Sequence, residues 1–344
     1  MQSRKEACKS IEEGQKCDII IIGAGPAGLA AGIYGIRSGL KCLILEKGAS
    51  GGQVMLSPWI ENYPGFTRIE GMKLMEQMTA HAREYVEIKE GIEVVGIEQT
   101  PDEFKITTNS GELRSRGIIL ATGASHKKLL IPGEEEYYGK GVSYCGTCDG
   151  FFFRKKKVIV VGGGNTAVTD ALYLQSIGCD MTLIHRREEL RADQHLQDSA
   201  KEKGLKIMLG TAIEKINGNG NIVTAVDLKN LKTEERSQMP VDGVFIAVGT
   251  VPSTALAKAL CVDMDNAGFI KVDQNFRTNI PFVYAAGDVT GGILQIVAAV
   301  HGGAVAALSA FEDLVDPYYT RTRMAESASC KITEKKSDEK NESD

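Results

Sequence analysis

The sequence lacks a strong excess of charge, and it lacks a clean apolar run of membrane-spanning length. Its 40 Lys and Arg against 45 Asp and Glu leave a net charge of −5, which gives no electrostatic reason to expect a nucleic acid or an anionic membrane as partner. The long uncharged stretches 19–36 and 291–311 are broken by glycines, and by Pro26 in the first. We therefore expect neither a membrane span nor a signal peptide. A chain of 344 residues indicates roughly two domains.

Paired cysteines are also lacking, except at one place. Of the eight cysteines, only Cys145 and Cys148 lie close together in the chain. A structural zinc site needs a second Cys pair or a His pair at ligand spacing, so we expect no metal. Scattered single cysteines favour reduced thiols and a cytoplasmic protein. The close pair is typical of a redox-active dithiol, and Asp149 directly after it is placed to act as general acid and base.

Two copies of one pattern organise the chain. Each begins with a short apolar run that ends in glycine and predicts a buried parallel strand, and continues with a glycine-rich turn, an apolar helix and a second strand. The strands, helices and second strands are predicted at 18–23, 29–38 and 41–45, and at 157–162, 167–176 and 181–184. These are βαβ units of the dinucleotide-binding kind. The expected fold is α/β, with two Rossmann-like domains.

The two units differ where the second strand ends. The same number of residues leads from Gly23 to Glu46 and from Gly162 to His185. A carboxylate at this position accepts hydrogen bonds from the ribose hydroxyls of an adenosine, whereas a cluster of guanidinium groups suits a 2′-phosphate. The arginines near His185 are Arg186 and Arg187, with Arg191 expected one helical turn further on. We therefore predict FAD in the first unit and NADPH in the second. The alternative interpretation of Arg186 and Arg187 is a solvated helix start.

Two nucleotide sites and a dithiol together predict an enzyme that passes electron pairs from NADPH through FAD to a disulfide. At these residues the chain resembles the low-molecular-weight thioredoxin reductases of bacteria and archaea, which are class-II pyridine nucleotide-disulfide oxidoreductases. The resemblance covers about 18–313. The matching motifs lie at 23–28, 46–47, 51–53, 61–65, 121–124, 145–152, 162–167, 185–187 and 286–289.

The resemblance implies a discontinuous FAD domain with the NADPH domain inserted into it. The expected segments are an N-terminal extension at 1–17, the FAD domain at 18–125 and 252–318, the NADPH domain with the dithiol at 126–251, and a disordered charged tail at 319–344. Short links near Thr122 and Val251 would act as hinges, so that the inserted domain rotates between the two half-reactions. A homodimer is also implied.

The resemblance further implies the residues of each site. Cys148 would face the flavin, Cys145 would attack the disulfide of thioredoxin, and Asp149 would move protons. The residues expected to bind FAD are Gly23, Gly25, Pro26, Ala27, Gly28, Glu46, Lys47, Gly52, Gln53, Asn62, Thr122, Gly123, Gly287, Asp288, Gln295 and Ile296. Those expected to bind NADPH are Gly162, Gly164, Asn165, Thr166, Ala167, His185, Arg186, Arg187 and Arg191. Phe151 and Phe152 would help to dock thioredoxin, or else be plain core residues.

Two other functions stay open at this point. Leu294 stands where the family commonly has arginine, which removes one cation near the nucleotides. The first alternative is therefore a related flavoprotein with another electron donor or a glutaredoxin-like target. The second is a flavoprotein that senses redox state and binds a partner without turnover. The complete path from donor site to dithiol argues against the second alternative.

Overall fold

The computed structural model describes residues 16–57 and 59–315, which form two compact units. The first unit combines the residues up to 55 with 72–124 and those from 252 onward, and the second combines 56–71 with 125–251. The expected extension before residue 16, the last three residues of the expected FAD domain and the expected tail at 319–344 lie outside the described residues.

Strands and helices alternate along most of the chain. The first part contains β1 (Lys16–Ile22), α1 (Pro26–Arg37), β2 (Cys42–Glu46), α2 (Gly71–Arg83), β3 (Glu87–Glu90), β4 (Val94–Gln99), β5 (Phe104–Thr108), β6 (Gly111–Leu120) and β7 (Ala124–His126). The middle part contains β8 (Val142–Ser143), α3 (Gly146–Asp149), β9 (Lys157–Val161), α4 (Asn165–Ser176), β10 (Asp180–Ile184), α5 (Gln194–Glu202), β11 (Lys206–Met208), β12 (Thr211–Gly218), β13 (Val223–Asn230), β14 (Arg236–Pro240) and β15 (Gly243–Ile246). The last part contains β16 (Thr250–Pro252), α6 (Ala255–Ala259), β17 (Val283–Ala285) and α7 (Ile296–Val315). Short 3-10 turns lie at Gly52–Leu56, Gly150–Phe153 and Asp288–Thr290.

Seven strands form the sheet of the first unit. Their order is β3-β2-β1-β6-β5-β4, with β17 paired to the end of β6. Successive side chains of β1 enter different core clusters: Ile19 and Ile21 belong to one, and Ile20 and Ile22 belong to the other. Both faces of the strand are therefore buried, which explains why β1 is a continuous apolar run and not an alternating one. Within the described residues the strand includes Lys16 and Cys17, which precede the predicted start and also pair with β6.

The second unit repeats this arrangement around β9. Five parallel strands lie in the order β11-β10-β9-β15-β8. Val158 and Val160 of β9 enter one core cluster, and Ile159 and Val161 enter the other. The predicted α/β class with two Rossmann-like units is confirmed. A separate antiparallel sheet, β12-β13-β14, was not predicted.

Residues 56–71 group with the second unit and not with the chain segments around them. The guanidinium carbon of Arg68 lies 4.0 Å from the ring centre of Trp59 and 5.9 Å from that of Phe152. The contact with Trp59 lies within the segment, and the cation–π contact with Phe152 attaches the segment to residues that follow the dithiol. The assignment of the units to FAD and NADPH stays a prediction, as does the hinge role of the links. Near the expected hinges, β7 and β16 pair with each other.

Helix α7 has the length and apolar composition of a membrane-spanning helix, but its small residues pack closely against α1. A Cβ atom on Gly303 would lie 2.0 Å from the backbone oxygen of Ala27. Ala306 and Ala310 of the same helix are fully buried. The close approach of two helices through small side chains is the packing of a core helix in this unit.

Gly303→Ala is expected to lower the free energy of unfolding by about 1–3 kcal/mol, because the added methyl group separates α7 from α1. Alanine favours a helix over glycine by about 1 kcal/mol, so an increase in stability would contradict this packing account. Urea unfolding followed by circular dichroism measures the effect. Leu308→Ala is the matched control on α7, where the side chain is 41% exposed, and it should change stability by less than about 0.5 kcal/mol.

Candidate active site

The turn between β1 and α1 is closed by contacts that only glycine permits. Gly23 has a φ of 107°, and a Cβ atom there would lie 2.3 Å from the carbonyl oxygen of Ala121. A Cβ atom on Gly28 would lie 1.8 Å from the oxygen of Gly23. At Gly25, by contrast, nothing lies within 4 Å, and no side chain caps α1. Pro26, the first residue of α1, has no N–H, and the N–H groups of the residues after it are uncapped beside the open space at Gly25, which suits a pyrophosphate.

Glu46 ends β2 beside this turn. Its Oε2 accepts a hydrogen bond from the backbone N–H of Ala24 at 2.8 Å, and its Oε1 accepts one from Gly48 at 2.9 Å. Each carboxylate oxygen has two acceptor positions, so Glu46 can still accept hydrogen bonds from ribose hydroxyls. Lys47 directly follows Glu46. Gly52 also lies close to the glycine turn, since a Cβ atom on Gly52 would lie 3.5 Å from the Cα of Gly25.

The Gly287–Asp288 pair reaches the same edge of the first sheet. The N–H of Ala286 donates to the oxygen of Leu120 at 3.0 Å, and a Cβ atom on Gly287 would lie 2.9 Å from the methyl of Ala27. Burial raises the pKa of the Asp288 carboxyl. The structure therefore brings the Gly287–Asp288 pair to the start of α1, beside the glycine turn.

The remaining residues expected to bind FAD lie in several separate segments of the chain. Thr122 and Gly123 follow β6, and the hydroxyl of Thr122 donates to the oxygen of Ser253 at 2.7 Å. Gln53 lies in the 3-10 turn after Gly52, while Gln295 and Ile296 stand at the start of α7. Asn62 lies in the 56–71 segment, which groups with the second unit.

The second glycine turn repeats the first. A Cβ atom on Gly162 would lie 2.3 Å from the oxygen of Ala247 and 2.7 Å from the Cβ of Ala167. Gly164 again has nothing within 4 Å, and no side chain caps α4. Asn165 and Thr166 form the first turn of that helix. The backbone of this turn is therefore open to a second pyrophosphate.

His185 lies at the end of β10 against the second turn. The side chain is 6% exposed, and its ring lies where a Cβ atom on Gly163 would stand. Burial lowers the pKa of the imidazole, and the charges of Arg191, Arg187 and Arg186 lower it further. Its Nε2 has no hydrogen-bond partner among the described residues. A neutral imidazole with an unpaired nitrogen thus stands where the first unit has Glu46.

The three arginines lie in a loop, which corrects one expectation. Arg191 was expected one helical turn beyond the pair, but α5 begins only at Gln194, and so a helix start does not account for Arg186 and Arg187. The N–H of Arg191 donates instead to the oxygen of Gly163 at 2.6 Å. All three side chains are exposed. Backbone pairing between the loop and the glycine turn therefore holds three exposed guanidinium groups at this end of the unit, in a loop that also carries the exposed Glu188 and Glu189.

A second contact fixes the same loop, through a residue that the sequence analysis did not select. The side-chain amide of Asn165 donates to Asp193 Oδ2 at 2.7 Å, and the N–H of Asp193 donates back to Asn165 Oδ1 at 2.8 Å. The reciprocal pair ties the end of the arginine loop to the start of α4.

The dithiol forms a disulfide across the single turn α3. The N–H of Cys148 donates to Cys145 Sγ at 3.1 Å. Cys148 is exposed and Cys145 is half-buried. Ser143 Oγ donates to Asp149 Oδ2 at 2.6 Å and accepts from the N–H of Cys145 at 3.0 Å. Burial raises the pKa of Asp149, and the Ser143 hydrogen bond opposes that shift. A carboxyl group of raised pKa beside a dithiol suits proton transfer.

Phe151 and Phe152 follow α3 in a 3-10 turn. Phe151 is 58% exposed, with the Arg154 guanidinium 5.4 Å from its ring centre, whereas Phe152 is half-buried near Arg68. Phe151 is therefore not a core residue.

Asp170 of α4 was missed by the sequence analysis. It is 8% exposed, and a Cβ atom on Gly146 of the dithiol turn would lie 2.7 Å from its Cγ. Burial raises the pKa of Asp170 to about 6, opposed by a hydrogen bond from the Gly146 amide. A signal was present, since Asp170 lies three residues after Ala167 and four before Leu174, on the apolar face of α4.

Comparisons with known proteins agree with this geometry. The family model for pyridine nucleotide-disulphide oxidoreductases matches residues 17–303. The chain belongs to this family. Its members are enzymes, and the family implies the use of a flavin and a nicotinamide nucleotide.

Individual relatives confirm the resemblance to low-molecular-weight thioredoxin reductases. The chain is 44% identical over 302 residues to the thioredoxin reductase of Listeria innocua, and the alignment covers 85% of this chain and 92% of that protein. It is 40% identical to a thioredoxin reductase from Streptococcus pyogenes of known crystal structure, with a TM-score of 0.81 and coverage of 87% of this chain and 98% of that one. The solved structure from Giardia duodenalis, also called thioredoxin reductase, is 35% identical with a TM-score of 0.81, covering 88% and 99%.

Burial of Asp170 predicts a pH-dependent difference between the protein and its Asp170→Asn variant. An unfolded aspartate ionises near pH 4, whereas the folded Asp170 ionises near pH 6. As pH rises between these values the unfolded state loses its proton first, so the free energy of unfolding falls, by up to about 3 kcal/mol. The Asp170→Asn variant lacks this fall in the free energy of unfolding, because asparagine does not ionise. Its stability relative to the parent should therefore rise from pH 4 to pH 6.5 and then level off.

Urea unfolding across that pH range measures this difference. Asp198→Asn on α5, an exposed aspartate of the same unit, is the matched control for the loss of an aspartate at the surface. A constant difference for Asp170→Asn would show that the carboxyl is not held in its neutral form by the fold.

Proposed function

We propose that this chain is an NADPH-dependent thioredoxin-disulfide reductase that uses FAD and the Cys145–Cys148 pair. The observation that carries the proposal is the disulfide on α3, in the same unit as a glycine turn flanked by arginines. Relatives named thioredoxin reductase, up to 44% identical over most of the chain, support it. The alternative of a glutaredoxin-like target or another donor has no such support.

FAD fits the residues of the first unit. The open start of α1 would hold the pyrophosphate, and Glu46 would accept hydrogen bonds from the ribose. Asp288, beside Gly287, would bind the ribityl chain, with Gln53 and Gln295 near the ring. When bound, the flavin supplies a group that takes up an electron pair and gives it back.

NADPH, rather than NADH, fits the second unit because of its charge. Three exposed arginines surround a buried neutral imidazole, and no carboxylate stands at the end of β10. Guanidinium groups bind a phosphate through charge-assisted, forked hydrogen bonds. The pyrophosphate would lie at the open start of α4.

Thiol–disulfide exchange completes the reaction. In the reduced protein, the Cys145 thiolate attacks one sulfur of the thioredoxin disulfide, which forms a mixed disulfide and releases one thioredoxin thiolate. The Cys148 thiolate then attacks Cys145 Sγ, which releases the second thioredoxin thiolate and restores the Cys145–Cys148 disulfide. Asp149 holds the proton that this pair exchanges.

Docking, assembly and location follow from the same assignment. Phe151 is exposed just after the dithiol and would contact thioredoxin, with Phe152 behind it. A homodimer is proposed from the resemblance. The free thiols of Cys17, Cys42, Cys179 and Cys261 favour a reducing compartment, so we propose a cytoplasmic enzyme.

Cys148→Ser should retain its flavin but lose thioredoxin reduction by at least about 1000-fold, because no disulfide can form to accept electrons. The absorbance of NADPH in the presence of oxidised thioredoxin measures the rate. Cys261→Ser, which removes an exposed free thiol, should keep full activity. Thioredoxin reduction by the Cys148→Ser protein would refute the assignment.

The double substitution Arg186→Ala and Arg187→Ala should raise the KM for NADPH by about 10-fold or more, because each lost guanidinium–phosphate contact contributes roughly 1–3 kcal/mol. The KM for NADH should change by less than about twofold. Arg236→Ala, which removes one exposed arginine paired with Glu214, is the control for loss of a guanidinium group elsewhere in the unit and should leave both KM values unchanged. Equal effects on both nucleotides would argue against a 2′-phosphate at this loop.

A further inference from the structure

The dithiol turn packs on α4 at two glycines that are one helical turn apart. A Cβ atom on Gly150 would lie 2.6 Å from Leu174 Cδ2, and one on Gly146 would lie 2.7 Å from Asp170 Cγ. The first contact is apolar, as is usual between packed helices. The second places a carboxylate where an alanine or a leucine would fill the space. Burial of an ionisable group costs free energy, so close packing alone does not explain Asp170.

The surroundings of Asp170 offer no counter-charge. Its pKa responds to burial and to the Gly146 amide, and no charged side chain among the described residues contributes. The titratable groups on the dithiol segment are Cys145, Cys148 and Asp149, and α4 itself adds Tyr173. The elements packed against α4 carry Lys157 on β9, Asp180 on β10, and His195, Asp198, Lys201 and Glu202 on α5. An ionised Asp170 is therefore an uncompensated negative charge beneath the dithiol turn.

We propose that Asp170 is a positioning residue that holds the dithiol turn through the Gly146 amide and, by its negative charge, lowers the thiolate fraction of the reduced cysteine pair. The proposal deepens the function proposed above and rests on it for its biological meaning. Gly146 lies between the two cysteines, so a charge held against its backbone acts on both sulfur atoms. A nearby negative charge disfavours a thiolate.

The reactivity of the reduced pair should then depend on pH in two steps. As the pH passes about 6, where Asp170 ionises, its charge begins to oppose thiolate formation. At higher pH the thiols themselves ionise, later than they would without the charge. Asparagine at this position retains the shape and a polar oxygen but has no charge, whereas glutamate retains the charge with one more methylene group.

The test is alkylation of the reduced protein by iodoacetamide between pH 5.5 and 9. The disulfide is first reduced with excess dithiothreitol, which is then removed, so no nucleotide or thioredoxin is needed. Both cysteines lie in the tryptic peptide 141–154, and mass spectrometry with fragmentation measures the modification of each. Asp170→Asn should increase the rate at Cys145 by about 3–10-fold at pH 7, with loss of the step near pH 6, since one pKa unit is a tenfold change in thiolate.

Asp170→Glu should keep the rate within about twofold of the parent, and the Asp198→Asn control should match the parent. An unchanged profile in Asp170→Asn would overturn the proposal, as would equal effects of asparagine and glutamate, which would reduce Asp170 to a packing residue. If circular dichroism shows that Asp170→Asn does not fold, Gly146→Ala replaces it as the test variant, because the added methyl group pushes the carboxylate away. This variant should raise the alkylation rate at Cys145. An unchanged rate would overturn the proposal. Failure of the parent to reduce thioredoxin would refute the proposed function while the alkylation result still decides the role of Asp170.

Discussion

The structure depends on one close backbone contact that occurs twice. At Gly23 and at Gly162 the turn after the first strand passes so near the neighbouring strand end that a Cβ atom would lie 2.3 Å from a carbonyl oxygen. Glycine permits that approach, and with it the sharp entry into α1 or α4. The helix then starts at the carboxyl edge of a parallel sheet with its N–H groups open. The other nucleotide-binding residues of that unit must therefore lie near this edge to contact the same nucleotide. A single constraint thus makes two nucleotide sites from one pattern.

The two sites differ in the charge placed beside this shared frame. In the first unit, the carboxylate of Glu46 is held in place by two backbone N–H groups. In the second, the buried His185 is kept neutral by burial and by the arginines of the following loop. A ribose with free hydroxyls suits the first arrangement, and a phosphorylated ribose suits the second. The dithiol lies in the unit with the arginine loop, which is why we assign NADPH binding and disulfide chemistry to the same unit.

The sequence predicted those parts of the fold whose signal is local. Strands β1 and β9 are apolar runs buried on both faces, and the glycines that end them have no other explanation, so the βαβ units appear within three residues of their predicted bounds. The pair Cys145 and Cys148 and the pattern change from Glu46 to His185 are equally visible in the sequence. The α/β class and the family resemblance followed from these elements.

The parts of the fold and of the candidate site that the sequence did not predict depend on contacts between residues far apart in the chain. Arg191 is placed by a backbone bond to Gly163 and not by a helix, and the contact of Arg68 with the ring of Phe152 joins residues 56–71 to the second unit. Neither contact is indicated by a periodic pattern of apolar residues in the sequence. Asp170 is an intermediate case, because its place on an apolar helix face was visible, but its contact with Gly146 depends on how α3 packs on α4.

The central claim is an electron path that begins at NADPH and ends at thioredoxin. Anaerobic titration of the flavin-loaded protein with NADPH, followed at the flavin absorbance band near roughly 450 nm, tests it most directly. We expect bleaching by NADPH, much weaker bleaching by NADH, and return of the band when oxidised thioredoxin is added. A band that neither nucleotide bleaches would show that electrons enter from another donor.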